Sequence, residues 1–311
     1  MTPEPADDLA DDFRADAASV IAGARALARG ELTQPSEAAL VVIRREVGRL
    51  ASVEPRVLGQ ALDALLVAPE AVAALRLLEA WGVVRALLPE VQAMVRLHAD
   101  ADHKDLWAHT LQVVARAAPD PDLRWIALCH DVGKPATRAT DEGGRVTFLR
   151  HEALGARLVR GIGARLELPA RRIERIAFVV EHHARTNQFD PEWTDRALRR
   201  LVRDAGPYLR DMLAFSAVDW TSKRPGEAAR IRKNLALIES RLASLTADHL
   251  KWSPPTGLGA ALADALERLP GPWLGELMRA LAAAVDDGRL EPDATLAELI
   301  AFAAQVPAQN V

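Results

Sequence analysis

Apolar residues recur at three- and four-residue steps along most of this chain, the spacing that lays one face of an α-helix against a core. Leu62, Leu65 and Leu66, then Leu75, Leu77, Leu78 and Trp81, mark packing helices between Pro35 and Val95. Pro55, Pro69, Gly82 and Pro89 break that run into short pieces. Ser36 ahead of Glu37 and Ser52 ahead of Glu54 carry helix-start chemistry. Residues 1–33 have few large apolar side chains before Val20 and glycines at 23 and 30, and are expected to be loosely ordered.

Further on, the stripe Leu106, Thr110, Val113, Val114 and Ala117 predicts a helix over 103–118 that turns His109 inward. Pro119-Asp120-Pro121 turns the chain, and a second apolar helix over 122–131 ends in His130-Asp131. A polar loop with Gly143-Gly144 and a short extended run over 145–149 follow. Helices are then expected over 151–166, 169–183, 192–204, 207–222 and 225–245, with Asp219 toward the end of the fourth. Residues 252–257, with Pro254-Pro255, form the best linker, and 258–305 reads as a small helical tail turning at 270–272 and 286–288. The expected fold is therefore all-α, in four parts: 1–33, a helical region 34–97, a helical body 98–250 and the tail 258–305.

Composition agrees: half of the 311 residues are apolar but only 5% aromatic, which favours helix over sheet. No run of about 18 uncharged apolar residues exists to span a bilayer. The acidic, Pro/Ala-rich first sixteen residues do not resemble a signal peptide. A single cysteine excludes an internal disulfide and fits a reducing compartment, so a cytoplasmic protein without a membrane partner is expected. Charge is uneven. Residues 1–40 carry three basic and eight acidic side chains, and residues 145–241 carry twenty and twelve. The positive middle suits a polyanion, although solvated arginine-rich helix faces explain it equally well.

The chemistry centres on Leu123 to Pro135. An apolar helix stops at His130-Asp131, Gly133 lets the backbone turn, and Pro135 prevents the helix from continuing. Lys134 is left beside the pair, where its ammonium can meet a phosphate. Other ligand-type residues are His109, His151, His182, His183 and Asp219. Imidazole and carboxylate without thiolate suit Mn, Fe, Co, Ni, Mg or Zn, and not a structural zinc site. Helical geometry turns His182 and His183 about 100° apart, so one is a ligand and the other meets substrate or solvent; His182 is the preferred ligand. Cys129, on the apolar helix, reads as a small core residue.

The order His, His-Asp, Asp resembles the HD superfamily of metal-dependent phosphohydrolases. The resemblance implies that His109, His130, Asp131 and Asp219 hold one divalent metal, and that His151 and His182 serve a second. Within that superfamily, the stretches Asp105–Leu111, Leu123–Pro135, Val146–Ala156, Trp193–Arg200, Val202–Pro207, Asp219–Lys223, Pro270–Gly275 and Asp287–Leu290 are similar to bacterial CCA-adding tRNA nucleotidyltransferases. So is Leu87-Leu88-Pro89-Glu90, near that family's neck. The similarity extends over roughly 35–305 and implies a neck, an HD body and a tail that contacts tRNA. That family's polymerase head needs a Gly/Ser turn followed by Asp-x-Asp; no such arrangement occurs here, so nucleotide addition is not expected.

The expected function is hydrolysis of a phosphomonoester or 2′,3′-cyclic phosphodiester, on a nucleotide or an RNA 3′ end, by metal-activated water. Asp131 and Lys134 are the expected catalytic residues. Lys134, Arg150, His183 and Arg185 are expected to meet substrate. Two rival readings are a tRNA-binding module working beside a separate nucleotidyltransferase, and a small-nucleotide phosphatase.

Overall fold

The computed structural model describes residues 8–97, 105–187, 192–220, 226–248, 252, 254–286 and 288–306. Two helices, α1 (Leu9–Ala15) and α2 (Ser19–Ala28), stand where loose order was expected. They bury Leu9, Phe13, Val20, Ile21, Ala24 and Leu27. Before Val20 the large residues of this stripe are only Leu9 and Phe13, which is why a count of large ones there missed it. A Cβ on Gly23 would collide with the Leu9 side chain, so the glycine is what lets the two helices close.

Six helices follow, the last of them carrying His109: α3 (Glu37–Glu46), α4 (Pro55–Leu66), α5 (Ala71–Ala80), α6 (Val83–Leu87), α7 (Pro89–Arg96) and α8 (Leu106–Arg116). The Ser36 hydroxyl caps α3 by accepting from Ala39 N at 3.2 Å. Ser52 has another task, donating to the Arg49 carbonyl within a 3-10 turn, and Pro55 begins α4 at its first turn. Pro89 likewise opens α7, since a first-turn proline lacks only an N–H that has no helical partner. Asp105 caps α8 through Ala108 N at 3.0 Å; the expected start at His103 lies outside the described residues.

The helices that follow are α9 (Pro121–Cys129), the short α10 (Lys134–Thr137), α11 (His151–Arg165) and α12 (Ala170–Asn187). Strands β1 (Ala139–Thr140) and β2 (Val146–Thr147) pair antiparallel in the loop between α10 and α11. Helices α13 (Asp195–Ala205), α14 (Leu209–Ser216), α15 (Glu227–Asp248), α16 (Leu258–Ala265), α17 (Pro272–Asp286) and α18 (Leu296–Ala303) complete the chain. Helix α14 stops well before the expected 222, so Asp219 stands in the turn beyond it and not on a helix. The architecture is all-α.

Two units form. The first comprises Met1–Gln188 and Arg210–Ala228, the second Phe189–Leu209 and Ala229–Val311. In the first, α11 packs along α12, and α9 lies against α4, α8 and α12. A chain of charges fixes α9 in place. Asp63 on α4 accepts from the Trp125 indole N–H at 2.7 Å and from both terminal nitrogens of Arg172. Asp122, buried in the first turn of α9, accepts from Arg172 and Arg175, and Arg175 also grips Asp211 of α14 at 2.7 Å. Arg124 reaches the Leu66 carbonyl at the end of α4. These partners satisfy one another, which is the condition for placing charge in a packed interior. In the second unit α16, α17 and α18 close on a core of Leu258, Leu262, Trp273, Leu277, Leu281 and Leu299.

Candidate metal centre

Helix α9 delivers its ligands by ending. Asp120 caps it through Leu123 N, Pro121 sets its first turn, and the apolar run carries it to Cys129. His130 is the C-cap, and Asp131 and Lys134 close a turn through a 2.9 Å backbone hydrogen bond. His130 and Asp131 are each 1% exposed. Gly133 has ordinary helical dihedrals (φ −79°), so a backbone turn is not what requires a glycine there. Space is: a Cβ would run into the His151 carbonyl and come within 2.9 Å of Gly155 N. Gly133 thus lets the start of α11 lie directly against the His-Asp turn.

Around this turn the expected ligands converge. His109 Nε2 lies 3.1 Å from His130 Nε2, 3.3 Å from an Asp219 oxygen and 3.9 Å from Asp131 Oδ2. His130 Nε2 is 3.2 Å from Asp131 Oδ2 and 3.7 Å from Asp219. On the other side of the same carboxylate, His151 Nε2 faces Asp131 Oδ1 at 3.5 Å. The donors form two sets, His109/His130/Asp131 and Asp131/His151/His183, with Asp131 common to both.

The histidine that joins is His183 and not His182. His183 is buried, with ring contacts to His130 (5.6 Å between centroids) and His151 (5.5 Å). His182 stacks on Phe178 at 4.4 Å and lines a separate cavity. The geometry thus places His183, and not the expected His182, among the donor atoms. The signal was available: Ile176, Val179, Val180 and His183 form one buried stripe of α12, whereas His182 shares a face with Phe178. Phe215 of α14, which no sequence motif marked, walls the site against the rings of His130 and His183. His183→Ala is expected to lower bound divalent ion per chain, and His182→Ala to leave it at the wild-type value. Elemental analysis of the two purified variants after dialysis against Mn2+ checks this, and equal losses would refute the assignment.

Tautomers follow from the backbone. His130, His151 and His183 each place Nδ1 within 2.8–2.9 Å of a carbonyl three residues earlier, on Ala127, Phe148 and Val180. A carbonyl only accepts, so Nδ1 carries the proton and Nε2 keeps its lone pair. This is how proteins orient histidines toward a metal. His151 Nε2 and Asp131 Oδ1 are buried without a hydrogen-bond partner among the described residues, two acceptors facing each other. His109 Nδ1 is also unpartnered. The 3.1 Å separation of the His109 and His130 nitrogens is close to the roughly 3 Å expected of two ligands about 2.1 Å from one ion at a right angle. The donor set fits a divalent cation.

Electrostatics point the same way. Burial opposes charge on Asp131, yet His130 and Lys134 hold its carboxyl well below the usual range. Asp219 is brought down to about 2, against burial, by His130 and by the His109 hydrogen bond. His130 is raised although burial works against it, because Asp131 and Asp219 flank it. His183 is lowered by burial and by the charge of His130. Two buried carboxylates thus demand positive charge at this point. Cys129 is buried and its thiol is pushed up by burial, so it is no nucleophile.

The remaining expected residues lie at the rim. Lys134 donates to Asp131 Oδ2 at 2.7 Å, and its ammonium lies 5.8 Å from the centre of the Phe148 ring. Arg150 opens α11 in the left-handed region (φ 63°), a costly conformation for a non-glycine residue and one concentrated at functional sites. Arg150, Glu152, Glu181, His182 and Arg185 line a cavity of about 410 Å3. No described helix is long and apolar enough to cross a membrane.

Residues 106–212 match the family model described as HD domain, so this stretch of the chain is an HD domain. Asp219 lies seven residues beyond the matched segment, and only the fold returns it to His109. Over about 72% of its length the chain is homologous to tRNA nucleotidyltransferases of the CCA-adding kind. It is 33% identical over 231 residues to an A-adding tRNA nucleotidyltransferase of Deinococcus radiodurans, covering 72% of this chain and 52% of that protein. It is likewise 33% identical over 236 residues to a CC-adding tRNA nucleotidyltransferase of Thermus thermophilus, covering 74% and 52%. A multifunctional CCA protein of Pseudomonas aeruginosa is 27% identical over 235 residues, covering 72% and 56%. The chain spans about half the length of the curated relatives it matches.

Proposed function

We propose that this chain is a metal-dependent phosphohydrolase that acts on nucleotides or RNA 3′ ends, as a phosphomonoesterase or 2′,3′-cyclic phosphodiesterase. The observation that carries the reading is the pair of donor sets sharing Asp131, with imidazole lone pairs and carboxylate oxygens turned inward. His109, His130, Asp131 and Asp219 would hold one divalent ion, and Asp131, His151 and His183 a second. Such ions neutralise phosphoester charge and bring the pKa of water toward neutrality. The absence of thiolate leaves Mn, Fe, Co, Ni, Mg and Zn as candidates.

The protein's own groups do the rest. Asp131 spans both sets, and Lys134 sits 2.7 Å from it, placing a fixed ammonium where a phosphoryl oxygen approaches. Arg150 and Arg185 border the adjoining cavity, where guanidinium groups can take a further phosphate of a nucleotide or an RNA strand. The names of two relatives supply the RNA: both are tRNA nucleotidyltransferases. A panel of p-nitrophenyl phosphate, nucleoside monophosphates and 2′,3′-cyclic nucleotides, run with each divalent metal and again with chelator, tests the proposal. Turnover that chelation abolishes is expected. Inactivity with every metal, alongside a salt-sensitive affinity for tRNA, would replace it with a binding role.

A further inference from the structure

Asp219, like Asp131, stands in a turn and not on a helix. Helix α14 ends at Ser216, and the chain reaches Asp219 through a turn in which the N–H groups of Val218 and Asp219 both point back at the Phe215 carbonyl, each at 3.0 Å. Carbonyls at such a helix end lack helical partners, and a carboxylate carried there has no fixed direction unless something holds the turn.

That something comes from α8. Arg116 lies seven residues, two turns, after His109 on the same helix, and so on the same side of it. Its guanidinium reaches the carbonyls of the two residues on either side of Asp219, Nη1 donating to the Trp220 carbonyl at 2.7 Å and approaching the Val218 carbonyl at 3.5 Å. The same guanidinium lies 3.7 Å from the centre of the Trp220 indole, a cation–π stack, and its other terminal nitrogen is tied to Gln112 Oε1 at 3.2 Å. A planar guanidinium that holds backbone carbonyls through one nitrogen and a side-chain amide through the other while stacking on a ring is a task lysine cannot reproduce. One helix therefore supplies a ligand, His109, and the clamp for the residue 3.3 Å from it.

We propose that Arg116 is a positioning residue for the metal centre: by clamping the Val218–Trp220 turn it sets the direction of the Asp219 carboxylate toward the cation shared with His109. The inference rests on the metal-centre reading, and one set of measurements separates the two. The probe is Co2+ alone, titrated by calorimetry and by its visible absorption, which reports the ligand set without any turnover. Arg116→Met keeps the side-chain stem and removes the fork. It is expected to weaken Co2+ binding 10- to 100-fold, the usual effect of losing a group that orients a ligand, and to shift the spectrum as Asp219→Asn does. In the Asp219→Asn background the same change is expected to cost less than threefold, because the residue it acts through has gone. Arg116→Lys, a gentler change that carries the test if the methionine variant does not fold, is expected to fall between wild type and Asp219→Asn. Wild-type Co2+ affinity in both Arg116 variants, or an equal loss with and without Asp219, would overturn the positioning role while leaving the metal centre intact. Wild-type affinity in Asp219→Asn would overturn both.

Discussion

Asp131→Asn is expected to abolish metal-dependent phosphoester hydrolysis, with a loss of about 1,000-fold or more in kcat/KM, about 4 kcal/mol of transition-state stabilisation. Asp131 is the only carboxylate common to both donor sets. One oxygen faces His109, His130 and Lys134, and the other faces His151. Asparagine keeps the shape but removes the charge and turns one acceptor into a donor. Either orientation of the amide spoils a contact: an NH2 toward Lys134 meets an ammonium, and one toward His151 occupies a lone pair meant for a cation. Lys134 and His130 also lose the negative charge that balances them in a buried place. Turnover at saturating Mn2+, together with metal content by mass spectrometry, measures the effect. Activity within tenfold of wild type would remove Asp131 from the centre of the site.

Gly133→Ala is the second large effect, and it acts through space. The added methyl would meet the His151 carbonyl and the Gly155 N–H, both backbone atoms of α11 that cannot rotate aside. Helix α11 must retreat, and His151 must retreat with it, widening the 3.5 Å gap to Asp131 Oδ1. Overpacking of this kind costs about 2 kcal/mol, a fall of roughly 4–8 °C in melting temperature for a unit of this size. More telling, bound divalent ion is expected to fall toward one per chain, because the His109/His130/Asp131 set does not depend on α11. Gly143→Ala is the control: its nearest neighbour is the exposed Asp141 side chain at 3.4 Å, so neither stability nor metal content should move. A Gly133→Ala protein that melts with wild type and keeps its full metal content would contradict the close approach.

His130-Asp131 stood out in the sequence because a polar pair ends the apolar stripe of α9, and His109 because the stripe of α8 turns it inward. His183 was misread because adjacent histidines were compared with each other and not with the stripe of Ile176, Val179 and Val180. Gly133 was assigned a turn when its φ is ordinary, since a close approach between distant segments leaves no local trace. The end of α14 was overrun for a related reason: nothing near Ser216 breaks a helix, and the turn beyond it depends on Arg116, 102 residues away from Val218. The helical order of residues 9–28 escaped because Leu9 and Phe13 are the only large apolar residues before Val20, too few for a periodic signal, and Gly23 reads as a helix breaker.

The grip of Asp63 on Trp125 and Arg172 has a bearing on how portable this chemistry is. The family match begins at residue 106, yet α9 is anchored to α4, forty residues upstream of that border. A fragment trimmed to the recognised domain would leave an indole N–H and a guanidinium fork empty-handed behind the helix that presents His130. The unit that presents these ligands is wider than the border of its family match, and any transplant of it should begin before Pro55.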